Sequence, residues 1–408
     1  MPIAFAVGIA SLVYYVIDGT SLMVLPQAMT GAVDSFPLLC IPLFMFVGFI
    51  MNMSGVTKRI FNFASSLVGH LPGGLGHVNI VASIIFAGMS GSATADAAGL
   101  GAIEIQAMRE EGFDDDFSAA VTASSSTIGP IIPPSMPMVI YGAIVGVSIG
   151  RLFLAGLLPG ILMGISLMVM VYIISRKRNY PIRKRATLKD VVKSFISAFF
   201  PILTPVILLG GIVFGIFTPT EAAGVAAIYA LFLGAVIYRQ LNFKGILELC
   251  VDVAEITGTT LLILSTAYLV VWVITVNNVP GILLNILINM NLGKNIFLLA
   301  INLFLLFLGM FTTIAPSVIL FGPLLTPVVI AMGIDPVHFG VIFVLNLMIG
   351  LLTPPVGPCL YIMSSLTNLS LERVVRATMP FLIPLIIVLL IITYFPVFSL
   401  WLPTLLMG

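Results

Sequence analysis

Two pairs of short stretches, rich in hydroxyls, glycine and proline, hold most of the chemistry this chain could perform. The first pair is Gly88-Met-Ser-Gly-Ser-Ala-Thr-Ala-Asp96 and Ser124-Ser-Ser-Thr-Ile-Gly-Pro-Ile-Ile-Pro-Pro-Ser135. The second is Gly309-Met-Phe-Thr-Thr-Ile-Ala-Pro-Ser317 and Asn346-Leu-Met-Ile-Gly-Leu-Leu-Thr-Pro-Pro-Val-Gly-Pro358. Neither proline of a Pro-Pro pair donates an N–H, and each crowds the turn before it, so a helix breaks there. A break frees carbonyls, which are hard ligands suited to Na+, and N–H groups at half-helix starts, which attract anions. Hydroxyl and amide oxygens stand close by in sequence: Ser90, Ser92, Thr94, Ser124, Ser125, Ser126, Thr127 and Ser135, then Thr312, Thr313, Ser317, Asn346 and Thr353. The chemistry on offer is ion and anion ligation.

Bond-making chemistry finds no such support. His70, His77 and His338 are isolated and lack metal-ligand spacing. There is no G-x-x-x-x-G-K loop for a nucleotide. Ser90 and Ser92 lack the histidine and the strand-turn-helix setting of a hydrolase nucleophile. Cys40, Cys250 and Cys359 are scattered among apolar residues and read as inert thiols. Asp96 is a carboxylate deep in an apolar region. Such a group serves a cation or coupling step by default, or caps the returning helix; both roles stay open. Thr218-Pro-Thr-Glu221 has the spacing of a capping box with proline at the first helical position. Arg109, Glu110, Glu111 and Asp114 to Asp116 read as a solvated turn.

The elements that would position these groups lie in a bilayer. Hydrophobic residues make up 60% of the 408 and charged residues 8%, with a mean hydropathy of +1.21; soluble domains carry about 25% charged residues. Net charge is +1, which gives no footing for nucleic acid. Spans are expected near 3–18, 36–52, 151–175, 195–217, 219–239 and 244–277, with a last one after Pro380. Amphipathic stretches at 56–70 and 280–290 would lie along the surface. Segments 73–110 and 295–330 can enter and return but not cross twice, so each reads as a re-entrant helical hairpin. Segments 116–149 and 337–370 read as broken helices.

These elements occur twice. Phe86 to Pro159 lies over Phe307 to Pro380 at a constant offset of 221, and four of the first block's five prolines fall on prolines. Gly88, Gly101, Gly112 and Gly129 fall on Gly309, Gly322, Gly333 and Gly350. The recurring pattern is one of helix breaks, and paired breaks in two halves point to a transport site. An odd number of crossings separates the copies, so they face opposite ways. The expected fold is an all-α polytopic membrane protein with two inverted-topology repeats, each with a hairpin and a broken helix. Residues 176–193 form a basic loop that separates the two halves. The loop holds eight of the seventeen Lys and Arg, which places it in the cytoplasm and the C-terminus in the periplasm. The helix expected from Pro2 resembles the one from Pro219, yet only the latter has a span before it, so an N-terminal helix is expected to be absent or supplied by a partner.

The chain resembles the large membrane subunit of tripartite ATP-independent periplasmic (TRAP) transporters. The resemblance rests on Ile41-Pro-Leu-Phe44, Ser54-Gly55, the tip from Gly88 to Asp96, Ile128 to Ser135, Thr218 to Ala223, and Gly350 to Gly357. It implies an Na+-driven importer of organic acid anions in a bacterial inner membrane, carrying a C4-dicarboxylate, sialic acid or similar carboxylate. It also implies a small four-helix membrane subunit and a periplasmic substrate-binding protein as partners. The implied mechanism is an elevator with scaffold and transport domains: 1–70 scaffold and first arm, 71–175 transport elements, 176–193 basic loop, 194–291 scaffold and second arm, and 292–408 transport elements. At least two Na+ sites follow by analogy: Gly91, Ser92, Thr94, Thr127 and Gly129 for the first, and Thr312, Thr313, Gly350, Thr353 and Gly357 for the second. Ser90, Ser92, Ser135, Thr313 and Asn346 are the candidates for holding substrate. The alternatives are a stand-alone carboxylate transporter of a related inverted-repeat family, or an intramembrane enzyme or channel.

Overall fold

The computed structural model describes residues 3–289 and 293–408, and the described residues contain helices and no strand. The first half runs α1 (Ile3–Asp18), α2 (Val24–Val33), a short 3-10 turn, α3 (Cys40–Met53) and the amphipathic α4 (Val56–Val68). A hairpin follows, α5 (Gly74–Ser90) and α6 (Ala93–Glu110), then the broken pair α7 (Asp115–Ser126) and α8 (Met136–Val145), and the long α9 (Ile149–Arg178). The second half runs α10 (Leu188–Val213), α11 (Pro219–Phe232), α12 (Phe243–Val276) and α13 (Val279–Asn289). Its hairpin is α14 (Lys294–Phe311) and α15 (Ile314–Ala331), and its broken pair α16 (Pro336–Gly350) and α17 (Pro358–Thr367). The chain closes with α18 (Leu371–Tyr394) and α19 (Val397–Met407). Eight of the described helical stretches are long and apolar enough to cross a bilayer. The start expected at Pro2 and the end of the 280–290 stretch fall outside the described residues.

The first hairpin and both breaks form where glycine and proline dictate, while the second hairpin turns at Thr312 and Thr313 in extended conformation. Gly91, at φ 61°, turns the first hairpin between α5 and α6, a conformation that favours glycine. The two diproline bonds are cis and sit in the breaks between α7 and α8 and between α16 and α17. Three features differ from the sequence reading. The span expected after Pro380 begins at Leu371, because α18 runs through Pro380 and Pro384 as α10 runs through Pro201 and Pro205. The short apolar helices α2 and α19 were not anticipated.

The capping box at Thr218 is present: its hydroxyl accepts from the Glu221 N–H, and Glu221 accepts from the Thr218 N–H at 2.8 Å. A second one, Thr187 with Asp190, starts α10. Thr218→Ala is expected to cost about 1 kcal/mol, read as a lower melting temperature of the purified protein. An unchanged melt would show that packing alone holds α11.

The hairpins open towards opposite ends of the molecule. The open end of the first, where α6 passes to α7, meets the basic loop: Arg178 reaches Asp114 and Asp116 at 2.9 Å, and Arg183 bridges Glu111 and, at 2.6 Å, Ser65 of α4. α4 is in turn tied to α10, through Arg59 to Ser197 at 2.9 Å and Ser66 to Ser194 at 2.8 Å. The open end of the second hairpin, where α14 begins and α15 passes to α16, lies at the other end, beside the C-terminal helices. There His338 meets Ser399 at 2.6 Å, and the Tyr394 hydroxyl reaches Asn295.

Candidate functional site

A cavity of about 470 Å³ lies where the two hairpin tips meet. The first tip contributes Ser90 to Ala95, and the second Thr313 to Pro316. Pro130 and Met136 from the first break and Leu351 and Pro358 from the second complete that side. The opposite wall is α3 and α12: Ile41, Met45, Phe49, Ile256 and Ile263, with Asn52 and Thr260 as its polar members. No charged residue lines the cavity among the described residues. Helix continuity explains why polar groups collect on one side. α3 and α12 satisfy their backbones internally, whereas the tips and breaks present free helix ends.

The first break leaves backbone oxygens open. Among the described residues, the carbonyls of Gly129, Ile132, Pro133 and Pro134 accept no hydrogen bond. Asp96, 2% exposed, stands beside Gly129. One of its carboxylate oxygens accepts from the Ser90 hydroxyl. The other is buried without a partner and lies where a side chain on Gly129 would go. Asp96 is therefore not the cap of α6. Ser92 holds that place, accepting from the Ala95 N–H at 3.4 Å. An orphaned, buried carboxylate oxygen next to a break with unpaired carbonyls offers hard oxygen donors suited to a monovalent cation. Gly91 is pressed against the Pro134 carbonyl, which ties the tip to the break.

The second break is built differently. The carbonyls of Leu351, Leu352, Thr353, Pro354 and Pro355 accept no hydrogen bond among the described residues. The Val356 N–H donates to the Met310 carbonyl of the hairpin at 3.2 Å. Ser317, the counterpart of Asp96, shares a hydrogen bond with Thr312 at 2.5 Å and donates to the Thr313 carbonyl at 2.9 Å. Gly350 lies in backbone contact with Gly309: a Cβ on Gly350 would come 2.5 Å from the Gly309 carbonyl carbon. The glycine that faces a carboxylate in the first half thus faces a helix backbone in the second.

The named candidates divide into two groups. Ser90, Gly91, Ser92, Thr94 and Thr313 line the cavity. Ser135, Asn346, Thr127 and Gly129 are buried behind it. Ser135 donates to the Pro130 carbonyl and caps α8. Asn346 donates to Asn302, and Thr127 to the Ser124 carbonyl at 2.7 Å. Gly350 is buried, while Thr353 and Gly357 lie in or at the end of the second break. Thr353 donates to the Ile349 carbonyl at 2.8 Å, and Thr312 to the Leu308 carbonyl at 2.9 Å. Asn52 and Thr260 were not singled out from sequence; each is a polar residue inside an apolar span, which was the available signal.

Residues 1–398 match a family model described as the tripartite ATP-independent periplasmic transporter, DctM component. The chain is 46% identical to the sialic acid TRAP transporter large permease protein SiaM of Vibrio cholerae, covering 100% of this chain and 96% of that protein. It is 42% identical to the sialic acid TRAP transporter permease protein SiaT of Haemophilus influenzae, covering 100% of this chain and 66% of that protein. It is 37% identical to the C4-dicarboxylate TRAP transporter large permease protein DctM of Pseudomonas aeruginosa, covering 91% and 87%. Among solved structures, the YdaH transporter of Alcanivorax borkumensis shares the fold, with a TM-score of 0.66 at 12% identity over 94% of this chain and 89% of that one.

Proposed function

The chain belongs to the DctM component family of tripartite ATP-independent periplasmic transporters, and we propose that it is the large permease subunit through which an organic acid anion enters the cell together with Na+. One observation carries the reading: both hairpin tips and both helix breaks converge on a single cavity without a charged lining residue. An anion there needs cations that arrive with it, and the open carbonyls and the free oxygen of Asp96 suit Na+. Sialic acid or a related carboxylate is the cargo favoured by the relatives. The hairpins and broken helices form the moving body of an elevator, within 71–175 and 292–408. α3, α10, α11 and α12 form the scaffold, with α4 and α13 as arms between them. The two sets of transport elements form inverted repeats.

Fifteen of the seventeen Lys and Arg belong to the end carrying 176–193, the others being Arg151 and Lys294. That asymmetry supports a cytoplasmic basic loop and a periplasmic C-terminus in the inner membrane. A small four-helix membrane subunit and a periplasmic binding protein complete the system. Reconstitution tests the assembly. Uptake into proteoliposomes is expected only with the small subunit and the soluble binding protein both present. Uptake by this chain alone would replace the reading with a stand-alone carboxylate transporter, and a substrate-independent ohmic current would replace it with a channel.

A further inference from the structure

Behind the cavity, each half contains a buried amide that joins its hairpin to its broken helix. In the first half, the Asn79 side chain on α5 donates to the Thr122 hydroxyl at 2.7 Å and accepts from the Ser125 hydroxyl at 2.6 Å, both on α7. In the second half, the Asn302 side chain on α14 donates to the Thr393 hydroxyl of α18 at 2.9 Å and accepts from the Asn346 amide of α16 at 2.7 Å. All six residues are at most 2% exposed, and none lines the cavity. The Asn346 amide also donates to the Ile342 carbonyl at 2.8 Å, so both its protons are committed and its orientation is set.

The two arrangements are related. Ser125 and Asn346 occupy equivalent positions at the offset of 221, and each stands four residues before the glycine that opens its break, Gly129 or Gly350. Four residues is about one helical turn. The hairpin asparagines are not equivalent in register: Asn302 falls two positions beyond the counterpart of Asn79. The polar join is therefore kept although its residues differ. Apolar packing between two helices tolerates sliding, whereas a directional, fully buried hydrogen bond holds one register.

We propose that Asn79–Ser125 and Asn302–Asn346 are positioning pairs that fix the height of each hairpin tip against its own break, and so set the cation affinity of that half. The inference rests on the reading of the breaks as Na+ sites. Slippage by a fraction of a turn would part the tip oxygens from the open carbonyls, while the cavity wall at α3 and α12 would be untouched. The pairs touch neither cargo nor ion.

The test uses the full transporter in proteoliposomes, with uptake measured against Na+ concentration for wild type, Asn79→Leu, Ser125→Ala, Ser125→Thr and Asn302→Leu. The expected result is a half-saturating Na+ concentration raised about fivefold or more in Asn79→Leu, Ser125→Ala and Asn302→Leu. Maximal uptake at saturating Na+ should stay within about twofold of wild type. Ser125→Thr keeps the hydroxyl and should behave as wild type. The double variant Asn79→Leu/Ser125→Ala should be no worse than Asn79→Leu alone, because both remove the same bond. Ser125→Ala deletes a single oxygen, which guards against a misfolded leucine variant. A fall in maximal uptake with unchanged Na+ dependence would make the pairs ordinary packing and overturn the proposal. Wild-type uptake indifferent to Na+ would overturn the Na+ reading itself, and this inference with it.

Discussion

Replacing Na+ by choline at constant ionic strength is expected to lower substrate affinity by about 100-fold or more, not by a small factor. A carboxylate entering the cavity finds hydroxyls, helix ends and carbon, but no Lys or Arg among the described lining residues. Asp96 behind the first tip adds a negative charge of its own when ionised. Leaving a buried charge uncompensated costs about 3–5 kcal/mol, which is a factor of hundreds to thousands in affinity. Calorimetric titration of the purified transporter with its cargo, with and without Na+, measures this directly. Affinity preserved within about twofold would mean that hydroxyls and helix N-termini suffice, and the assignment of Na+ as the counter-charge would be wrong.

Gly350→Ala is expected to be strongly damaging for a change of one methyl group. The added carbon would meet three backbone atoms of Gly309, its carbonyl carbon, Cα and oxygen, at 2.5, 2.6 and 2.8 Å. Backbone held in two packed helices has no rotamer to change, so α14 and α16 would have to separate. Overpacking of this kind costs about 3 kcal/mol or more, and transport should be lost with a clear drop in melting temperature. Gly322→Ala is the matched control. Its methyl would touch Val145 and Tyr141 at 3.5 and 3.8 Å, ordinary contact distances, so melting and uptake should hardly change. Gly129→Ala should fall between the two. It presses on the Asp96 carboxylate, a side-chain end that can turn away at the expense of its bond to Ser90. Gly350→Ala melting like Gly322→Ala would show that the close approach of α14 and α16 is not needed.

Much of this architecture was legible because glycine and proline constrain the backbone directly. Hairpins expected at 73–110 and 295–330 were found as α5 with α6 and α14 with α15, within a residue or two. The breaks fell at the two Pro-Pro pairs. The same logic misled at Pro380. That proline is tolerated inside α18, since neighbouring groups in a membrane helix can take over a freed carbonyl. α2 and α19 went unseen because ten or eleven apolar residues look alike as a loop, a surface helix or a dipping helix. At the site, sequence supplied the right segments without the direction of each side chain. Ser135 and Asn346 belong to the stretches that build the cavity, yet the Ser135 hydroxyl and both Asn346 amide protons are spent behind it, on Pro130, Asn302 and Ile342, and the Asn346 side-chain oxygen is buried without a partner. Asp96 could be a cap or a cation ligand from spacing alone; its bond to Ser90 and its idle second oxygen decide against the cap.

The contrast between the two sides of the cavity has a mechanical corollary. Carbon surfaces attract without preferred direction, whereas hydroxyls and helix ends grip at fixed angles. Apart from Asn52 and Thr260, the α3 and α12 side is greasy, and the directional grips belong to the tips. In the proposed elevator movement, a passenger held by the tips would therefore meet little friction from that wall, and would part from it before it let go of its seat.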